Sequence, residues 1–313
     1  MVTSVLQILI FPGFIFLLVF GMTAEYVDRI MYARLQNRKG PPWFQPWADF
    51  LKLLAKEDLV PDCADEEAFR LMPILALASV ITASIYIPIW GSQALFSFSG
   101  DLIVILYLLT IPTFTFFLGG WYSRSIYSLV GAVRTLTQLF GYEIPLFMAI
   151  LAAAMLADDW SLSKVVLFYG THPLFVLFNL PGFVVALVCL LGKLEKTPFD
   201  IPDAETEIVA GPFTEYSGRC LAFFRMALDI ELVVGAMLLS AVFLPFGMNL
   251  GAGIGFVLYI LKSLLIICLL AVARTVVARL RIDQMISFCW TYLAPVAFLQ
   301  IVLNLFIKGF LPK

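Results

Sequence analysis

An all-α integral membrane protein with about eight transmembrane helices is the fold class this sequence predicts, and three observations predict it. Hydrophobic residues fill 62% of the 313 positions and charged residues only 13%, against about 25% charged in soluble domains. The apolar residues fall into runs near the ~20 residues a helix needs to cross bilayer hydrocarbon. The charges gather between alternate runs. A water-soluble core of this size cannot hide so much apolar surface, so lipid is the expected solvent.

Eight runs qualify: roughly Val2–Ala24, Leu71–Trp90, Leu102–Trp121, Ile144–Ala157, Leu174–Leu191, Asp229–Phe246, Ala252–Ala273 and Cys289–Ile307. The first is read as a retained helix. No basic segment precedes it, and no small-residue cleavage pattern follows at Ala24-Glu25-Tyr26. The fourth is short and is expected to extend back through Glu143 and Tyr142, which carries a carboxylate to membrane depth. The sixth opens on Asp229 and Glu231. With no linker, low-complexity segment or internal repeat, residues 1–313 read as a single polytopic membrane domain.

Loops one, three, five and seven hold sixteen of the 20 Lys and Arg residues, and every acid lies in or beside them except Asp101, Asp158 and Asp159. The positive-inside rule puts these odd-numbered loops in the cytoplasm. Both termini then face outside, in a multi-pass protein of the cell membrane. In loop one, Trp47, Phe50, Leu51 and Leu54 recur at helical spacing, with Lys52 and Lys56 on the other side. That pattern predicts an interfacial amphipathic helix, a face that equally suits packing on a partner subunit.

Loop five is the most unusual stretch. Glu195, Asp200, Asp203, Glu205, Glu207 and Glu215 lie within 21 residues. Pro198 and Pro202 interrupt any helix before Asp203. A short helix from Asp203 would set Asp203 and Glu207 one turn apart on one face, where like charges repel. Repulsion or burial raises a carboxyl pKa, and a carboxyl that exchanges its proton near neutral pH suits a proton relay. The plainer reading is a solvated acidic loop paired with Arg and Lys of the other odd loops. Glu143 and Glu231 weigh against it, because ionisable groups within a span are costly and are functional candidates by default. Glu143 has a plainer reading too, a pair with Arg134 at the membrane boundary.

Other chemistry is sparse. The five cysteines form no CxxC pair and His172 is the single histidine, so metal, haem and iron–sulfur ligation by this chain is not expected. HExxH, P-loop and glycine-rich dinucleotide motifs are lacking. His172 stands before Pro173 at an external loop end, where a bland role is expected.

Several motifs resemble one known family. Arg38-Lys-Gly-Pro41, Gln45-Pro-Trp-Ala-Asp49 and Leu51-Lys-Leu-Leu54 resemble the first cytoplasmic loop of membrane subunit 1 (the H subunit) of respiratory complex I. Gly131 to Arg134 with Tyr142-Glu143, Pro198-Phe-Asp200 with its following acids, Glu215-Tyr216, and Arg281-x-Asp-Gln284 before Trp290 resemble the same family, in order along the chain. The short stretch from Pro41 to Gln45 and the Gly211–Gly218 run look more like the counterpart subunit of membrane-bound nickel–iron hydrogenases. That branch includes formate hydrogenlyase, energy-converting hydrogenases and a related sulfur-reducing complex.

The resemblance implies an anchor and ion-coupling subunit of a hydrogenase-type oxidoreductase complex. It would dock hydrophilic large and small hydrogenase-type subunits and an iron–sulfur subunit, beside antiporter-like membrane subunits in the bilayer. No cofactor is expected on this chain, the nickel–iron centre and iron–sulfur clusters belonging to partners, and no nucleic acid is expected. Carried over by position, the coupling carboxylates are Glu143, Asp200, Asp203, Glu205, Glu207 and Glu215, with Asp229 about one residue out of register. Charge partners or docking contacts are Arg34, Arg38, Lys39, Arg134, Arg279, Arg281 and Asp283. Two other readings stay open: a quinone-binding complex I subunit linked to NADH oxidation, and a stand-alone secondary ion transporter.

Overall fold

The computed structural model describes residues 2–89, 91–247 and 252–310, without the side chains of residues 2–5, 205, 206, 252 and 310. Seven of the described helices are long and apolar enough to cross a membrane. In chain order the first half holds α1 (Val2–Leu9), α2 (Phe14–Leu35), α3 (Gln45–Leu54), α4 (Glu66–Ile85), α5 (Asp101–Tyr122), α6 (Ile126–Ala157) and α7 (Leu162–Thr171). The second half holds α8 (Leu174–Phe178), α9 (Leu180–Lys193), α10 (Glu205–Ile208), α11 (Gly218–Phe243), α12 (Ala252–Val276), α13 (Ile282–Phe288) and α14 (Ala294–Phe310). A π-helical turn, Cys289–Leu293, joins α13 to α14 in one span.

The fifth expected crossing is made of two pieces. Asn179 separates α8 from α9, and an amide network meets the polar groups at that break. The Asn179 side chain donates to the Tyr169 hydroxyl at 2.7 Å and accepts from Gln300 at 2.9 Å and Asn304 at 2.8 Å. Gln300 also donates to the Phe178 carbonyl, and Asn304 to that of Ala152. Lipid offers no hydrogen bonds, so a broken helix persists there only when protein supplies them.

The long helices begin or end well outside the apolar runs. α2 continues eleven residues past Ala24, and its start is displaced to Phe14 by the break around Pro12, whose nitrogen has no hydrogen to donate. α6 starts at Ile126, so Arg134, Gln138 and Glu143 all ride on it, and α11 starts at Gly218 rather than Asp229. α4 runs from Glu66 to Ile85 instead of Leu71 to Trp90, and Trp90 lies outside the described residues. At 32 residues α6 is about 48 Å long at 1.5 Å per residue, well beyond the ~30 Å of hydrocarbon. Propensity and hydrogen bonding carry a helix on where hydropathy stops.

α11 is the hub. Its spanning window is 89% buried, against 33% for α12 and 22% for the last span. Its second half, Leu232 to Phe243, is almost wholly apolar and buried throughout, as suits a helix in the interior. Ala149, Ala152, Ala153 and Ala154 of α6 are essentially inaccessible. Small residues let membrane helices approach closely, which matters where packing rather than water exclusion drives association. A second, smaller core forms where Tyr216 stacks on Phe69 at 3.9 Å beside Phe116, Phe213 and Phe224. It seats a 3₁₀ turn, Gly211–Phe213, against α5 and α6.

That seat depends on a missing side chain. A Cβ on Gly131 of α6 would meet the Gly211 backbone at 2.6 Å, closer than atoms tolerate. Gly131→Ala is expected to push loop five off α6 and lower stability by about 1–3 kcal/mol. Thermal unfolding of the detergent-solubilised protein would show this as a lower midpoint; an unchanged midpoint would contradict the packing.

Candidate functional site

Lys193 ends α9 and is 1% exposed. Its Nζ stands 3.5 Å from Glu143 Oε2 on α6 and 3.7 Å from Glu231 Oε1 on α11, and 5.6 Å from the Tyr142 ring centroid. The Thr110 hydroxyl on α5 donates to Glu143 Oε1 at 2.6 Å. Glu231 is 0% exposed, and beyond Lys193 its carboxylate has no hydrogen-bond partner among the described residues. Gln138 holds the end of α9 in place by donating to the Gly192 and Phe199 carbonyls at 2.7 and 2.8 Å. A gap of about 10 Å³ beside Glu143 and Lys193 is close to the size that admits one water.

A short stretch of chain past Lys193 connects this trio to a much larger space. A cavity of about 580 Å³ lies between α2, α3, α11, α12 and loop five, lined by both signs of charge. Asp28, 1% exposed, accepts from Lys196 at 2.7 Å and Arg274 at 2.8 Å. Lys196 also reaches Glu25 at 3.0 Å, Glu25 pairs with Arg29 at 2.8 Å, and Arg29 pairs with Asp49 of α3 at 2.9 Å. Arg274 lies 4.2 Å over the Tyr32 ring, a cation–π contact that holds it inward. Arg279 meets Asp200 at 3.1 Å, and Arg225 meets Asp203 at 3.8 Å. Burial works against the Lys196 charge, but Glu25 and Asp28 outweigh it and raise its pKa above the usual lysine value.

Glu195, two residues past Lys193, also lines the cavity and is 8% exposed. Its pKa is pushed up to about 8, first by burial, then by Asp203 and Glu231, against Arg225. Neither carboxylate oxygen meets a partner in good hydrogen-bond geometry among the described residues, the Thr135 hydroxyl being the one that favours its anion.

The residues expected from sequence therefore divide. Glu143 belongs to the buried trio, and Asp200, Asp203 and Asp229 line the cavity. Glu207 turns the other way, to Arg134 at 2.7 Å, in a 290 Å³ recess with Arg279, Arg281 and Asp283. The Arg134 hydrogen bond and charge hold its pKa below the usual glutamate value. Arg34, Arg38 and Lys39 cluster where α2 ends, and all three are exposed. Glu215 is half-buried and joins no ion pair among the described residues. The Glu205 side chain lies outside the described residues.

Two local expectations are corrected. The loop-five helix is four residues long and starts at Glu205, so Asp203 and Glu207 face Arg225 and Arg134 instead of each other. Glu143 pairs with Lys193 rather than Arg134, which sits more than two turns nearer the charged end of α6. In α3, Asp49, Phe50 and Leu53 face the cavity while Leu51 is 61% exposed. Glu25, Asp28, Arg29, Lys193, Lys196 and Arg274 were not among the expected site residues, and Glu195 was one of the loop-five acids but not one of the coupling carboxylates. The i,i+4 spacing of Glu25 and Arg29 was the available signal that the first helix runs on.

The comparisons with known proteins agree with this architecture. A family model described as NADH dehydrogenase matches residues 6–305. The H subunit of the NADH-quinone oxidoreductase of Carboxydothermus hydrogenoformans is 32% identical over 94% of this chain and 85% of its own length. That of Bacillus cereus is 35% identical over 96% and 94%. Among solved structures, a chain of a membrane-bound sulfane sulfur reductase, an archaeal respiratory membrane complex, superposes with a TM-score of 0.85. It is 25% identical and covers 93% of this chain and 96% of its own.

Removing the Lys193 ammonium strands two buried carboxylates. Lys193→Met is expected to cost about 3–5 kcal/mol, the usual penalty for breaking a buried pair from one side. Adding Glu231→Gln should restore a large part of it. Thermal unfolding of the single and double variants checks this, and equal midpoints for wild type and Lys193→Met would contradict it.

Proposed function

Because the chain belongs to the NADH dehydrogenase family that includes the H subunit of NADH-quinone oxidoreductase, we propose that it couples electron transfer in a partner to ion movement in the membrane. It is a multi-pass membrane subunit of a complex I-like respiratory oxidoreductase. The finer reading is a hydrogenase-type complex, in which this chain anchors hydrophilic large and small subunits and an iron–sulfur subunit. The nickel–iron centre and iron–sulfur clusters would sit on those partners. The observation that carries the coupling reading is the series of ionisable groups from the large cavity inward to Lys193, Glu143 and Glu231 at one end of the bundle.

Ionisable side chains that deep cost several kcal/mol each and mark ion or proton pathways. A carboxylate–lysine–carboxylate trio can change its protonation or its pairing when charge alters nearby, at little cost in geometry. Redox chemistry docked over the cavity would supply that change, and antiporter-like neighbours would receive it. Arg34, Arg38 and Lys39, grouped at the same end, suit contacts to an acidic partner surface. On this reading the charged end faces the cytoplasm and both termini face outside.

A second reading has its own support. A cavity of 580 Å³ is large enough for a small organic ligand, and the curated relatives are named for quinone. The charge-lined wall favours water and ions over an apolar ligand. Turnover that requires added quinone, and is lost on changing Asp49 or Phe50 of α3, would establish the quinone reading.

For the coupling role, Glu143→Gln in the intact complex is expected to preserve assembly while lowering ion movement per electron several-fold. Reconstituted complex in liposomes, with proton and sodium uptake both read, tests this. A variant with wild-type ion movement would rule the trio out as the coupling element.

A further inference from the structure

Three charged residues in four positions, Lys193, Glu195 and Lys196, serve three different places. Lys193 enters the buried trio, Lys196 joins Glu25 and Asp28, and Glu195 faces the cavity. The backbone makes this possible by a tight helix cap. The Lys196 N–H donates to the Leu191 carbonyl and the Glu195 N–H to that of Gly192, the paired bonds of a Schellman motif. In that motif the residue at the position of Glu195 is left-handed and is usually glycine. Glu195 holds a φ of 51° there. A long acidic side chain thus stands where the backbone favours none. It is buried, it faces the cavity, and both its oxygens lack a well-placed donor among the described residues. A backbone outlier kept against local preference points toward function.

We propose that Glu195 is the proton-holding group through which the charge state of the cavity acts on the Glu143–Lys193–Glu231 trio. This rests on the coupling reading above and adds a residue and a direction to it. Neutral Glu195 gives its proton to cavity water and keeps the electron pair as carboxylate. The new anion repels Glu231 and attracts Lys193, which weakens the hold of Lys193 on Glu143. The groups facing Glu195 fit this role. Asp203 and Glu231 oppose its ionisation, Arg225 favours it, and Thr135 offers the one hydroxyl. Elsewhere around the cavity, Glu25 and Arg29 of α2 are paired together, and Arg274 of α12 is held by Asp28. Asp200 meets Arg279, and Asp229 of α11 faces Glu25, Lys196, Arg29 and Arg225; both stay in place in the Glu195 variants, so loss of the transition there assigns it to Glu195.

The test uses the intact complex in liposomes, driven by a reduced viologen dye, with ions moved per electron measured from pH 6.5 to 9.5, a range of about 1.5 units either side of the transition. The wild type is expected to show a transition near pH 8, where Glu195 changes charge. Glu195→Gln fixes the neutral form, and Glu195→Gly removes the acid while suiting the left-handed cap, so folding is favoured. Both should lower the ratio several-fold and abolish the transition. Wild-type ratio and an unmoved transition in either variant would overturn the proposal. Glu143→Gln, run in parallel, separates the two ideas. If it uncouples and the Glu195 variants do not, only the role of Glu195 fails; if it stays coupled, the coupling reading fails.

Discussion

Lys193 stands between Glu143 and Glu231 with almost no exposure, so α9, α6 and α11 cannot part without leaving charge in a medium that does not solvate it. The effective cost of such an ion is several kcal/mol even after relaxation. The contacts are at 3.5 and 3.7 Å, longer than an optimised ion pair, with little hydrogen bonding around Glu231. The trio therefore ties three helices together through contacts looser than a fully hydrogen-bonded pair. A fully satisfied network would be more stable and less responsive.

The same constraint organises the charged end. Asp28 would be stranded by α2 alone, and Lys196 from loop five and Arg274 from α12 converge on it. Arg29 extends the network to Asp49 of α3. Four distant parts of the chain are thus fixed around one cavity by ion pairs, and loop five is held at its centre. The amide network at Asn179 does the neutral equivalent for the broken fifth crossing. Polar groups placed in an apolar setting specify their partners, because each alternative leaves one unpaired.

The family relationship and the geometry meet in this arrangement. Likeness to the H subunits of NADH-quinone oxidoreductases and to a chain of an archaeal sulfur-reducing complex spans almost the whole chain. Chains of this architecture thus occur in complexes named for different substrates, quinone in one and sulfane sulfur in the other. Its cationic helix end and large cavity lie at the charged end, and its buried trio adjoins them through α11 and the end of α9.

The sequence by itself determined the solvent, the all-helical class, the crossings within a few turns, and the segregation of charge to alternate loops. Each follows from hydropathy and counting, because lipid penalises every exposed polar group in the same manner wherever it falls in the chain. It also pointed to Glu143 as a carboxylate at membrane depth. Tertiary structure alone decided the pairings. Glu143 meets Lys193, 50 residues away, and Glu207 meets Arg134 because a four-residue helix turns it from Asp203. Asp28 and Glu25 were hidden because α2 runs past the end of its apolar run. Charge is legible along a sequence, but a partner is chosen by proximity in space, and in a low-dielectric interior that choice sets which groups hold protons.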